Sequence, residues 1–357
     1  MKYLTILFLS FSAIFACKQR ANVENTNPTA VEPDKTETKS KGEIGIAFYN
    51  LENLFDAEDD PNVQDEEFTP GAKLNWTEDK YKIKAANMAK VIAALADDGP
   101  EVFGIVEVEN AGVVRTLLSQ NPLKAHNYKF VHQDSKDARG IDVALCYDPT
   151  VYKVEKYKAF TPKFASGNKK TRDFLVVEGK IDGQKVFFVV NHWPSRREGQ
   201  EESEVYRVEV ARQVKRVCDS ITQKIPEALI CLMGDFNDDP KDKSIKEVFH
   251  TKTQLSETAK DGFCNVMEPF YKPNESGTLE YQGKWNVFDQ FLLSQSFSNP
   301  KSKVQYINNS ATVFSPEWLK VGYGSHKDSP RRSVFRDEFR DDGYSDHFPI
   351  YMKWNMK

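Results

Sequence analysis

The shortages in this sequence are more telling than its abundances. Only five of its 357 residues are cysteine, and none forms a CxxC pair or a Cys/His spacing that would hold zinc. A structural zinc centre is therefore excluded. Cys146 and Cys231 lie in apolar runs, which suits buried, reduced thiols, and no disulfide pairing can be read for Cys146, Cys218, Cys231 and Cys264. Neither sign of charge dominates: 49 Lys and Arg stand against 53 Asp and Glu, a net charge of -4. Such a balance gives no support to tight, non-specific duplex binding, although an enzyme that touches nucleic acid only briefly is compatible with it. No internal repeat occurs at solenoid periods. The N-terminal apolar run, Leu4 to Phe15, is too short to span a bilayer.

That run is instead expected to be a targeting signal. Lys2 supplies the positive start, and Ile14-Phe15-Ala16-Cys17 resembles the bacterial lipobox, in which the cysteine is lipidated. Residues 1–17 are thus expected to form a lipoprotein signal peptide ending at lipidated Cys17. Acyl chains there would anchor the protein to a membrane. Residues 18–41 are rich in Asn, Thr, Pro, Glu and Lys and read as a disordered tether. One domain follows, over 42–357.

Within it, Ala228 to Met233 reads as a short buried strand that Gly234 breaks, leaving Asp235 and Asn237 on one face of an extended chain. Thr77 caps a helix that runs with apolar periodicity towards Gly99-Pro100, and further helices are expected over 111–120 and 204–224. Strands are expected at 44–49, 102–106, 128–132, 141–147, 174–178, 186–190 and 287–293, with Asp182-Gly183 as a hairpin turn. The acidic stretch Asp56 to Pro70 lacks EF-hand spacing and reads as a solvated loop. Strands outnumber long helices. An α/β fold of the α+β type is expected, with two mixed, mainly antiparallel sheets packed face to face and helices outside.

Polar residues gather where these strands run out: Asn50, Glu52, Glu107, His192, Asp235, Asn237, Asp289, Asp346 and His347. The other four of the six histidines read as solvated. Asn50-Leu51-Glu52, Glu107, Asn191-His192, Gly234-Asp235-Phe236-Asn237, Asp289-Gln290-Phe291-Leu292 and Ser345-Asp346-His347-Phe348-Pro349-Ile350 follow one another in the order of the endonuclease/exonuclease/phosphatase superfamily. The chain resembles that superfamily from Ile44 to Met352, and looks like a deoxyribonuclease I-like, bacterial lipoprotein member of it. The resemblance implies a four-layer α/β sandwich and metal-assisted hydrolysis of phosphoesters.

The resemblance also implies roles. Glu107 matches the principal metal ligand, with Asn50, Glu52 and Asp346 supporting the ion. The ion is expected to be Mg²⁺, with Mn²⁺ or Ca²⁺ as alternatives. Asp235 matches the residue that orients and deprotonates water, and Asn237 its neighbour. His347 matches the imidazole on the scissile phosphate, and Asp289 the carboxylate that orients it. Whether Asp235 or His347 is the formal base stays open. His192 matches a general-acid candidate of deoxyribonuclease I and the sphingomyelinases. Arg139 and Asn191 are expected on the substrate, Arg139 through Arg139-Gly140-Ile141-Asp142. In His192-Trp193-Pro194-Ser195-Arg196-Arg197, the aromatic and the two arginines either contact substrate or form a solvated loop. No long apolar membrane hairpin of the sphingomyelinase kind is present.

The expected function is an extracytoplasmic nuclease, monomeric and lipid-anchored in the bacterial envelope or secreted, acting on nucleic acid or another phosphoester. A phosphomonoesterase, a lipid or inositol-type phosphodiesterase and a non-catalytic binding module are the alternatives.

Overall fold

The computed structural model describes residues 42–357, apart from Asp98, Asn168 and Gln282; the expected signal, tether and Cys17 lie outside the described residues. The first half of the domain contains β1 (Glu43–Leu54), α1 (Glu78–Ala93), β2 (Val102–Val108), α2 (Ala111–Ser119), β3 (Lys129–His132), β4 (Asp142–Tyr147), β5 (Lys153–Phe160), β6 (Phe174–Ile181) and β7 (Gln184–His192). The long helix α3 (Gln200–Lys224) leads to β8 (Leu229–Asp235), α4 (Lys243–Lys246) and β9 (Phe263–Asn265). The short ribbon β10 (Leu279–Tyr281) and β11 (Lys284–Asn286) precedes β12 (Asp289–Ser294), β13 (Val304–Tyr306) and β14 (Thr312–Val313). A second ribbon, β15 (Val334–Phe335) with β16 (Glu338–Phe339), comes before the closing strand β17 (Ile350–Met356). Among the described residues no helix is long and apolar enough to cross a membrane.

Local chemistry explains the elements. The Thr77 side chain accepts the Lys80 N–H at the start of α1, and Asn110 accepts that of Val113 at the start of α2. Between β6 and β7, Asp182 and Gly183 both take positive φ, 47° and 77°, the geometry of a two-residue hairpin turn.

One sheet runs β13-β17-β1-β2-β4-β3, with β14 also on β17; the other runs β5-β6-β7-β8-β12-β9. Each is mixed: β1 with β2 and β7 with β8 are parallel, while their outer neighbours are antiparallel. Side chains alternate across each sheet. Phe48, Phe188, Cys231, Met233 and Trp354 fill the layer between the sheets. Ala47, Tyr49, Phe103 and Ile105 turn outward to pack with α1 and α2, while Ile230 and Leu232 pack with α3. With both faces buried, β8 needs apolar residues throughout, so its sequence does not alternate. Four layers result, two sheets between helices, as expected.

Some expectations are corrected. Gly234 does not break its strand, because β8 continues through it to Asp235. A methyl group there would lie 2.4 Å from the Asn191 carbonyl oxygen, so the glycine marks a close approach of β7. Helix α3 begins at Gln200, one turn before the expected Glu204. His132 is not solvated: its ring is buried, with Nε2 3.2 Å from Asp142 Oδ2. All four cysteines of the domain are buried and free.

Candidate active site

Parallel pairing sets the location. β1 and β2 end at the same edge of one sheet, and β7 and β8 end at the same edge of the other. The antiparallel β12 and β17 begin there. In the second sheet, His192 pairs with Asp235 and Asp235 with Asp289, so three adjacent strands present one residue each on a single rung. Backbone hydrogen bonding alone brings these three together.

Asp235 is the hub. It is 2 % exposed, and its Oδ2 lies 3.1 Å from Asn50 Nδ2, 3.6 Å from His192 Nε2 and 3.8 Å from His347 Nε2. Its Oδ1 accepts the Asn237 N–H at 2.9 Å. Asn237 has φ 50°, and its Nδ2 donates to the Trp193 carbonyl oxygen, so the pair meet in an Asx turn instead of along an extended face. Burial lifts the Asp235 carboxyl to about 7 against the pull of His347; Asp289 and Glu107 push it in the same direction as burial.

Asn50 Oδ1 accepts the Glu52 N–H at 2.9 Å, which turns its amide nitrogen towards Asp235 and towards Glu107 Oε1, 3.4 Å away. The β1–β2 register slips beyond Asn50, and Glu52, Asn53 and Glu107 all take positive φ, 50°, 57° and 60°. Strain of this kind tends to collect at functional sites. It lets the Asn53 N–H reach Glu107 Oε2 at 2.9 Å. Glu52 points elsewhere. Its Oε2 accepts from the N–H and hydroxyl of Ser333, at 2.7 and 2.6 Å, and lies 3.5 Å from the buried Lys84 Nζ.

The two histidines are pushed in opposite directions. His347 Nδ1 lies 2.8 Å from Asp289 Oδ2. Burial pulls this imidazole down, but the charge and hydrogen bond of Asp289, with Asp346 and Asp235 behind, raise it well above the usual histidine value. His192 moves the other way: burial, then Arg172, Arg139 and His347, push it well below that value. Its Nδ1 is buried with no hydrogen-bond partner among the described residues.

The remaining expected residues divide. The Asp346 side chain is 31 % exposed, with Oδ1 3.9 Å from His347 Nε2. Arg139 Nη1 reaches Asn53 Oδ1 at 3.5 Å, and so stands one residue from Glu107. Asn191 is fully buried and turns inward. It donates to the carbonyl oxygens of Val189 and Met233 and accepts from Trp193 Nε1. Trp193 is buried against Phe236 and Phe249, so it can neither stack on a base nor belong to a solvated loop. Arg196 binds the Asn237 carbonyl oxygen and the carboxylates of Asp238, Asp239 and Asp242, bracing the loop behind Asp235.

Sequence reasoning missed Arg172. It is buried, bonds Asp137 and the Trp193 carbonyl oxygen, and shifts His192. It sits in a polar loop outside any recognisable motif. Ser345 stands out in the sequence only as part of the Ser345-to-Ile350 motif. Its hydroxyl donates to the Asn50 carbonyl oxygen at 2.7 Å and accepts the His347 N–H at 3.1 Å, joining the two halves of the site.

The donors suit a hard divalent cation. Glu107, Asp235 and Asp346 offer carboxylate oxygens, and Glu107 and Asp346 reach solvent. The carboxylates of Glu107 and Asp235 have one Asn50 amide between them, which leaves negative charge for an ion to meet. Among the described residues, the group whose ligand-type atoms all lie within 4.8 Å of one another is a different one, His132, Asp134 and Asp142. There, however, Asp142 faces Nε2 and Asp134 faces Nδ1, opposite sides of the ring. That arrangement favours an Asp–His–Asp bridge over chelation of one ion.

Comparison with known proteins bears on the fold and the family. No curated protein sequence matches the chain. Among solved structures, a humanized Danio rerio TDP2 carrying 14 mutations superposes with a TM-score of 0.55 at 17% identity, covering 88% of this chain and 99% of that one. D. rerio TDP2 complexed with a single-strand DNA product gives 0.54 at 16% identity, over 88% and 99%. An endonuclease/exonuclease/phosphatase family protein from Bacteroides thetaiotaomicron gives 0.52 at 15%, over 89% and 99%. At these identities the likeness is one of fold. The sequence profile of the Endonuclease/Exonuclease/phosphatase family matches residues 45–356, nearly the whole described domain, and the chain belongs to that family.

Proposed function

We propose that the protein is a metal-assisted phosphodiesterase of the nuclease kind, working outside the cytoplasm from a lipid anchor at Cys17. Members of the family are in general hydrolases of phosphoester bonds and depend on a divalent metal, usually Mg²⁺. The observation that carries the reading is the setting of Asp235, whose Oδ2 has Asn50, His192 and His347 all within 4 Å at one sheet edge.

Glu107 and Asp346, with Asp235 and Asn50 beside them, would hold the metal. Such an ion supplies charge neutralisation at the phosphoryl oxygens. The side chains do the rest. Asp235, buried between the two imidazoles, is placed to take a proton from the attacking water. His347 is kept charged by Asp289, so it serves as a fixed cation and donor to a non-bridging phosphate oxygen and not as the base. His192 is kept neutral, so it donates a hydrogen bond without a charge, and we assign it to the leaving oxygen. The DNA product in the D. rerio neighbour supports a nucleic-acid strand as substrate.

Supercoiled plasmid incubated with Mg²⁺, with and without chelator, tests the reading. Nicking that the chelator abolishes is expected, and intact plasmid at high enzyme concentration would overturn the endonuclease. Turnover of p-nitrophenyl phosphate without turnover of its bis-ester would point to a phosphomonoesterase. Labelling with a clickable palmitate tests the anchor: wild type should take label and Cys17→Ala should not.

A further inference from the structure

A small pocket of about 130 Å³ opens beside His192, formed by the β3–β4 loop, the β5–β6 loop and the segment after β7. Five of its eight lining residues are cations, Arg139, Lys169, Lys170, Arg172 and Arg197, and none is acidic. The balance holds behind the wall as well. Asp137 is a single carboxylate that answers two of these arginines, with Oδ2 3.3 Å from Arg172 Nη1 and Oδ1 3.9 Å from Arg139 Nε. Arg172 is only 7 % exposed, and its Nε has no hydrogen-bond partner among the described residues. With one carboxylate answering two of the five lining cations, the wall carries a net positive charge that an anion would offset.

The pocket is linked to the reacting centre through its arginines. Arg172 and Arg139 are two of the three charges that act on His192, and Arg139 reaches Glu107 through Asn53. Its volume equals about four waters. That accommodates a tetrahedral oxyanion, and a cationic lining with no aromatic ring suits an anion better than a stacked base. Planar, forked donors such as Arg139 and Arg172 suit phosphate oxygens in particular.

We propose that this pocket holds a second phosphate of the substrate, the one next to the scissile phosphate along a nucleic-acid strand. The inference rests on the phosphodiesterase reading of the same site. It makes the enzyme selective for diesters that carry a neighbouring phosphate.

Lys170 and Arg197 are the exposed members, so the double variant Lys170→Ala/Arg197→Ala should fold normally. Lys169 is less suited, because its ammonium lies over the Tyr206 ring. Two measurements are made on wild type and variant. The first is binding of a labelled thymidine pentanucleotide in EDTA, followed by anisotropy against salt. The wild type should bind about tenfold more tightly, with a steeper salt dependence by one to two phosphates' worth of charge, each worth about 0.7 in the logarithmic slope. The second is hydrolysis of the thymidine dinucleotide with no terminal phosphate, with one on the 5′ side, or with one on the 3′ side. Wild type should prefer one phosphorylated form about tenfold in kcat/KM, and the double variant should lose that preference. Equal binding by the two proteins, or a preference kept by the variant, would overturn the pocket. Pocket-dependent binding with no hydrolysis of any dinucleotide would instead count against the phosphodiesterase reading, and the pocket would stand as an anion site.

Discussion

His347 Nδ1 lies 2.8 Å from Asp289 Oδ2, and the Asp289 side chain is 1 % exposed. The pair crosses between the two sheets, since Asp289 opens β12 and His347 precedes β17. The carboxylate both orients the ring and keeps it charged. Asp289→Asn should therefore leave the fold intact and remove the imidazolium at neutral pH. NMR titration of the His347 ring should show a fall from well above the ordinary histidine range to near or below it. Activity on a diester should drop by about 10²–10⁴-fold, the usual contribution of a positioned acid or base. An unshifted His347 titration in the variant would show that the charge is set elsewhere.

Asp235 links stability to pH and to metal. Its folded pKa, about 7, stands above the ordinary 3.8. Between those values the folded state holds more protons than the unfolded chain, so stability must fall as pH rises. Metal-free protein should thus lose thermal stability from about pH 4 to about pH 7. A cation beside the ionised carboxylate reverses the penalty, so adding Mg²⁺ should raise the melting temperature more at pH 8 than at pH 5. Asp235→Asn should lessen the metal-free trend without removing it, because Glu52 and Glu109 are also raised to about 7. Melting curves with EDTA and with Mg²⁺ across that range check both points.

Glu52 and Lys84 form a buried pair behind the site, with side chains 8 % and 0 % exposed. Burial pushes the Glu52 carboxyl up, to about 7, and pushes Lys84 down. Lys84→Met alone should cost about 3–5 kcal/mol, because it strands a buried carboxylate. Lys84→Met with Glu52→Gln should cost clearly less than the sum of the single changes. Urea unfolding of the four proteins gives the coupling. The same series measured with Mg²⁺ tells whether Glu52 contributes to metal affinity beyond holding the strand end.

Asp238 meets the guanidinium of Arg207, Nε to Oδ1 at 2.6 Å, with side chains 2 % and 0 % exposed. Arg196 reaches the same oxygen, and Ser244 donates to Oδ2. Asp238→Ala leaves a fully buried arginine without its counter-charge, so a loss of about 3–5 kcal/mol is expected. Arg196 also fixes the loop that carries Asn237, so the variant should lose activity at temperatures where it remains folded. Activity and circular dichroism followed together over temperature separate the two effects.

Most of the site was legible because strand ends carry it. Asn50, Glu107, His192, Asp235, Asp289 and His347 each end or begin an apolar run, and runs of that kind can be read directly. The sandwich was legible for the same reason. What escaped detection lacked local pattern. Arg172 lies in a polar loop and draws its meaning from Asp137 and Trp193, 35 and 21 residues away. Glu52 shares a motif with Asn50, but a positive φ turns it to Lys84 and Ser333, and no residue type announces that turn. Trp193 and Arg196 look like surface groups in sequence, and only tertiary packing shows them buried or fully engaged. Gly234 looked like a stop and proved to be a place where two backbones meet.

The rung His192–Asp235–Asp289 has a consequence for how the site comes into being. A slip of one residue between β7 and β8 or between β8 and β12 would turn one member to the opposite face. The site is therefore assembled by the same step that fixes sheet register, and no later adjustment of loops can substitute for it. During refolding, recovery of activity should keep time with amide protection in β8 and should not lag behind it. Heat should abolish activity together with that sheet, without an earlier local loss.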